Sequence, residues 1–176
     1  AGNSEAAVSH QIPSTGNYTE IWNGTSWSEG STANSHQIGD TDMVGTVDAA
    51  IEAGGFNASS QVQSDAAEWN GSTWSEATAL PAARAGGSFA GIQNDAMYSG
   101  GTLSTGIVSS TLLYDGASWS AGVPLPILSY RQAGDGSANS SIHAGAHPAS
   151  PGAWPQYNAY QFGGLAWYRV ADLTRA

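Results

Sequence analysis

One six-residue pattern occurs three times in this chain and limits its fold more than any other feature. Trp22-Asn23-Gly24-Thr25-Ser26-Trp27, Trp69-Asn70-Gly71-Ser72-Thr73-Trp74 and Tyr114-Asp115-Gly116-Ala117-Ser118-Trp119 each place an aromatic residue, then Asn-Gly or Asp-Gly, then Trp five positions after the first ring. The copies start 47 and 45 residues apart, so the chain is an array of similar units. Asn-Gly and Asp-Gly favour a type I′ turn, in which both central residues have φ > 0, a conformation these residues tolerate at least cost. Each copy therefore predicts a hairpin tip. The rings Trp22 and Trp27, Trp69 and Trp74, Tyr114 and Trp119 then end one strand and start the next, where they pack against a neighbouring sheet.

A second mark follows each tip: Gly54-Gly55, Gly100-Gly101 and Gly163-Gly164. Between Trp74 and Gly100 the chain reads Leu80-Pro81-Ala82-Ala83-Arg84, then Gly86 to Gly91, then Asn94-Asp95-Ala96-Met97-Tyr98. That is a Pro-marked loop, a small-residue strand, a turn, an apolar strand and a Gly-Gly break. This order, closed by an aromatic-turn-Trp hairpin, resembles the kelch repeat, and the Trp-Asn-Gly-x-x-Trp form is similar to kelch-like repeats of phage and secreted microbial proteins. The resemblance implies an all-β, kelch-like β-propeller with about three blades per chain, completed by a neighbouring chain. Residues 17–164 hold the repeats, with an insertion in the third from about Asn139 to Trp154. Residues 1–16 read as an edge strand or a linker, and 165–176 as a partial repeat or blade-completing tail. Three blades are too few to close around their own axis. Two chains that complete each other's split blade would make a six-bladed ring, and head-to-tail continuation would make a fibre.

Composition removes several classes of partner. Charged residues are 10% of 176, there is no Lys, and the 14 acidic residues against four Arg give a net charge of −10. Such a chain repels nucleic acid and anionic membranes. It has no Cys, hence no disulfide or thiolate site, and no apolar run long enough to span a membrane. It begins at Ala1 rather than Met, which suits a processed mature form or a segment of something longer, in either case extracellular or on a virion surface.

Five Asn-x-Ser/Thr sequons, at Asn17, Asn23, Asn57, Asn70 and Asn139, mark glycosylation positions if the chain passes through a glycosylating host. For Asn23 and Asn70 the third copy argues for turn chemistry instead, because Asp115 keeps the turn and cannot carry a glycan. Trp22, Trp69 and Tyr114 would stack on sugar rings if exposed, or pack between blades if buried. Trp154 and Tyr157, in and just after the long third-unit segment, are the other glycan contacts expected. His143 and His147 would need a helix to share a metal, which Gly145 and Pro148 oppose, and Asp40, Asp42 and Asp48 offer closely spaced oxygens that read as a solvated acidic turn or a calcium site. Arg84 and Arg131 follow a repeat Trp by 10 and 12 residues and read as equivalent positions near the innermost strand, lining a channel or pairing with an acid. Neither a nucleophile elbow nor a phosphate loop nor a paired-carboxylate motif is present. The sequence thus points to a non-enzymatic structural or adhesive protein that needs no cofactor, partners with itself and is a fibre or phage-appendage subunit, with a carbohydrate-binding module as the alternative.

Overall fold

The computed structural model describes residues 2–3, 6–11, 18–32, 39–147 and 156–173. Among these the chain is all-β, in four four-stranded antiparallel sheets and one small hairpin, and no sheet closes on itself. The first sheet holds β1 (Gly2–Asn3), β2 (Ala6–Gln11), β3 (Tyr18–Trp22) and β4 (Trp27–Glu29). The second holds β5 (Asp42–Gly45), β6 (Ala50–Ala53), β7 (Ala66–Trp69) and β8 (Trp74–Ala77). In the third, β9 (Ser88–Ile92) and β10 (Asp95–Ser99) are followed by the hairpin β11 (Thr102–Leu103) and β12 (Gly106–Ile107), and then by β13 (Thr111–Tyr114) and β14 (Trp119–Ala121). The fourth holds β15 (Ala133–Ser137), β16 (Ser140–Ala146), β17 (Gln156–Phe162) and β18 (Trp167–Arg169).

The count of about three units therefore becomes four sheets, each complete in itself. The supposed insertion after Asn139 is in large part the inner strand β16, with Asn139 exposed at its tip; residues 148–155, with Trp154, lie outside the described residues, as does Asn17. The first strands of the second, third and fourth sheets gather on one side of the stack, with β9 packed between β5 and β15. The fourth strands lie at the opposite edges of their sheets.

The repeated tips form by a different device from the one expected. Trp22 pairs with Trp27, Trp69 with Trp74 and Tyr114 with Trp119, so four residues separate the paired rings. Only the second of these, Gly24, Gly71 or Gly116, takes a positive φ, at 92°, 89° and 88°. The Asn or Asp before it uses its side chain instead: Oδ1 accepts the backbone N–H groups two and three residues on, at 2.7–3.0 Å in all three copies. This is an Asx turn rather than a type I′ turn, and it explains why Asn and Asp interchange.

Gly163-Gly164 is a fourth tip of this kind, not a strand break. Phe162 pairs with Trp167, Gly163 N–H donates to Ala166 O at 3.0 Å, and Gly164 has φ 83°. Gly54-Gly55 and Gly100-Gly101 are true breaks at the ends of β6 and β10. There the backbone turns with positive φ, and Gly55 N–H and Gly101 N–H donate to Arg84 O and Ser129 O at 2.8 and 2.7 Å.

Candidate functional site: the seams between sheets and their open ends

The sheets are held together by the rings that flank the tips. At the first seam Trp69 and Trp74 pack with Ala50, Ala67 and Ile21, and Trp74 Nε1 donates to the buried Thr19 Oγ1 at 2.8 Å. At the second, Ile51, Ala53 and Ala66 meet Phe89, Tyr98, Leu112 and Tyr114. Trp119 Nε1 donates to Thr78 O at 2.7 Å, and Tyr114 OH donates to Glu68 Oε1 at 2.7 Å. Burial, then the bond to Glu68, raises the pKa of the Tyr114 phenol, so it remains a donor. At the third seam Met97 and Leu113 meet Ala138, Phe162 and Trp167, and Trp167 Nε1 donates to Val123 O at 2.9 Å. Each seam thus joins apolar burial to one indole hydrogen bond, which fixes the angle as well as the contact.

Trp69 and Tyr114 are consequently buried, and no sugar ring reaches them. Asn23, Asn70 and Asn139 are exposed and Asn57 is half-buried, while the side chains of Asn23, Asn57 and Asn70 are all used in local turns.

At the inner edge, three residues with left-handed backbone repeat from sheet to sheet: Asp40 (φ 56°), Gly86 (φ 61°) and Arg131 (φ 54°). Gly86 N–H donates to Asp40 O at 3.0 Å, and Arg131 N–H to Gly86 O at 2.7 Å. The partner of Arg131 in the repeat is therefore Gly86, 12 residues after Trp74, and not Arg84. Arg131 and Tyr130 OH both bind Asp40 Oδ2 over the top of Gly86, where a Cβ would strike the Tyr130 ring at 2.2 Å. With side chains 55% and 29% exposed, the Arg131–Asp40 pair contributes at most about 1 kcal/mol. Arg84 is buried and donates to Gly100 O, Ser110 O and Ser110 Oγ.

Asp40 and Asp42, weighed with Asp48 as an acidic turn or a calcium site, are engaged separately. Asp40 is turned to Arg131, and Asp42 accepts the N–H groups of Met43 and Phe89. Burial raises the Asp42 pKa, with the two N–H bonds opposing it. No group of three or more His, Cys, Asp or Glu able to hold a metal occurs among the described residues. His143 and His147 do not share a helix: His143 is buried on β16, edge-on to Trp167 at 5.0 Å, and His147 is exposed.

Burial lowers the His143 pKa to about 4. The folded value lies below the ordinary 6.5, so the unfolded chain binds the extra proton and stability falls as the pH drops from about 6.5 to 4. The expected loss is roughly 3 kcal/mol, read as the difference between urea melts at pH 7 and pH 4. His143→Gln is expected to flatten that difference.

The two ends of the stack present the same residue positions without a neighbouring sheet among the described residues. Ile51 on β6 and Met97 on β10 are fully buried against the following sheet, while the matching Ile142 on β16 is 48% exposed. In the same cross-strand row, beyond Gln161 on β17, Tyr168 on β18 is 60% exposed. At the other end Trp27, which matches Trp74, Trp119 and Trp167, is 52% exposed, although it keeps the tilted contact with Trp22 at 5.5 Å.

No family model matches the sequence, and no curated protein matches it. Among solved structures the chain is similar to one described as "Structure of YjhT", with a TM-score of 0.80 and 14% identity over 100% of this chain. The chain spans 65% of that structure's length, and at this identity the likeness concerns the fold alone.

Proposed function

We propose that this chain is a non-enzymatic structural or adhesive protein, an open run of a kelch-like β-propeller that assembles with further copies of itself outside the cell or on a virion surface, as a fibre or phage-appendage subunit. One observation carries the reading. Ile142 at one end and Trp27 at the other stand exposed at positions whose counterparts are buried or half-buried against an adjoining sheet, and Tyr168 adds a second large exposed ring to the Ile142 end. Exposed large hydrophobics arranged this way mark interaction surfaces. Each sheet is already complete, so docking is face to face rather than by sharing strands, and unlike faces meeting head to tail give a ring or a filament.

Sedimentation velocity tests it. The native chain is expected to form oligomers whose size grows with concentration. Trp27→Ala with Tyr168→Ala is expected to leave a monomer with little change in thermal unfolding, since both side chains are largely exposed. A native chain that stays monomeric at every concentration would sink the reading.

A second reading, carbohydrate binding, is favoured by a separate feature, an uncharged groove on the loop side of the second and third sheets. Of the rings named for glycan contact in the sequence, Tyr157 at the start of β17 is exposed, Trp154 lies outside the described residues, and the tip rings Trp69 and Tyr114 are buried in the seams.

A further inference from the structure

The loop after β6 and the β11–β12 hairpin border a groove of about 730 Å³, a volume typical of small-ligand sites. Its walls include Phe56, Val62 and Leu103 as apolar surface and Gln61, Gln63 and Ser104 as polar groups. None of the lining residues is charged, in a chain with 14 acidic side chains. Two further clefts differ in this respect, being lined by Asp40, Asp42 and Arg131 in one and by Asp42 and Asp135 in the other. A neutral ligand suits the groove, since a charged one would lose its hydration there without meeting an opposite charge.

The backbone around the groove is already paired. Phe56 N–H donates to Gly39 O and Phe56 O accepts from Gly39 N–H, and Thr102 exchanges the same two bonds with Ala85. Gln63 N–H donates to Gly55 O. An extended peptide therefore finds no free strand edge at these residues to add to. Recognition falls to side chains, and these are pre-set. Gln63 Nε2 is held by the carbonyls of Gln61 and Val62 at 2.9 and 3.0 Å, which leaves Oε1 as the acceptor. Gln61 Oε1 accepts Asn57 Nδ2 at 3.1 Å, which leaves Nε2 as the donor. Fixed amides, serine hydroxyls and apolar surface complement the alternating hydroxyl and C–H faces of a sugar.

We propose that this groove is a binding site for an uncharged oligosaccharide. The inference deepens the carbohydrate-binding reading by naming its surface and its ligand class, and it is independent of self-assembly.

Isothermal titration of the full chain with cellotetraose, maltotetraose, mannotetraose and chitotetraose, against the anionic tetragalacturonate, tests it. At least one uncharged probe is expected to bind and tetragalacturonate not to. Gln61→Ala is expected to weaken binding roughly five-fold. Ser104→Trp, which fills the groove from an exposed hairpin tip, is expected to abolish it, with circular dichroism unchanged. Binding that survives Ser104→Trp would overturn the groove assignment while leaving carbohydrate binding elsewhere. Failure of every uncharged probe at millimolar concentration, or preference for the anionic one, would overturn both.

Discussion

Trp69→Ala is expected to destabilise the chain by about 3–5 kcal/mol, enough to lower the melting temperature by roughly 10 °C. The ring is fully buried between the first and second sheets, in contact with Trp74 at 5.4 Å, and its Nε1 donates to Val47 O at 2.8 Å. Its removal opens a cavity in the seam and leaves the Val47 carbonyl without this partner. The Trp69 carbonyl also accepts Gln93 Nε2 at 2.8 Å, a bond from the third sheet that survives the substitution because it uses the backbone. The loss is thus expected to come from packing. Trp27→Ala serves as the comparison: the same residue in the same motif, half exposed, is expected to cost less than half as much in the monomer. Urea melts of the two variants at pH 7 make the measurement, and equal losses would mean that seam burial is not what distinguishes the copies.

Gly54→Ala is expected to cost about 3 kcal/mol or more, a large effect for one added methyl group. Two penalties add. The backbone at Gly54 has φ 73°, a region L side chains rarely enter, and a Cβ there would lie 2.3 Å from Arg84 O. That carbonyl cannot retreat, because it accepts Gly55 N–H at 2.8 Å where the chain crosses to the third sheet. Gly100 repeats the arrangement, with φ 69° and Ser129 O at 2.5 Å. Gly39→Ala is the control: the nearest atom among the described residues is 3.9 Å away, so a change within about 0.5 kcal/mol is expected. If Gly54→Ala also proved neutral, the close crossing between sheets would be wrong.

The tips were legible from the sequence because everything they need is local. A glycine with positive φ, two rings five positions apart and a side-chain acceptor all lie within six residues. The fourth tip, Phe162 to Trp167, is hidden because Gly163 stands where the other copies have Asn or Asp, a residue that only supplies the Oδ1 capping two N–H groups. The pattern aromatic-x-Gly-x-x-Trp would have found all four copies and so four sheets. The pairing of Asp40 with Arg131 was beyond such reading. The two are 91 positions apart, and they meet only because three inner strands stack with Gly86 between them. The uncharged groove is likewise built from segments of different sheets, and no single stretch announces it.

The end faces mark the division most clearly. The sequence by itself determined that Ile51, Met97 and Ile142 sit at matching places in matching units, because strand period and turn chemistry are local properties. Whether each is buried was decided only by the tertiary structure, since burial depends on what stands opposite. Ile51 and Met97 have a following sheet against them, and Ile142 has none among the described residues. The same kind of side chain is thus core at two positions and surface at the third.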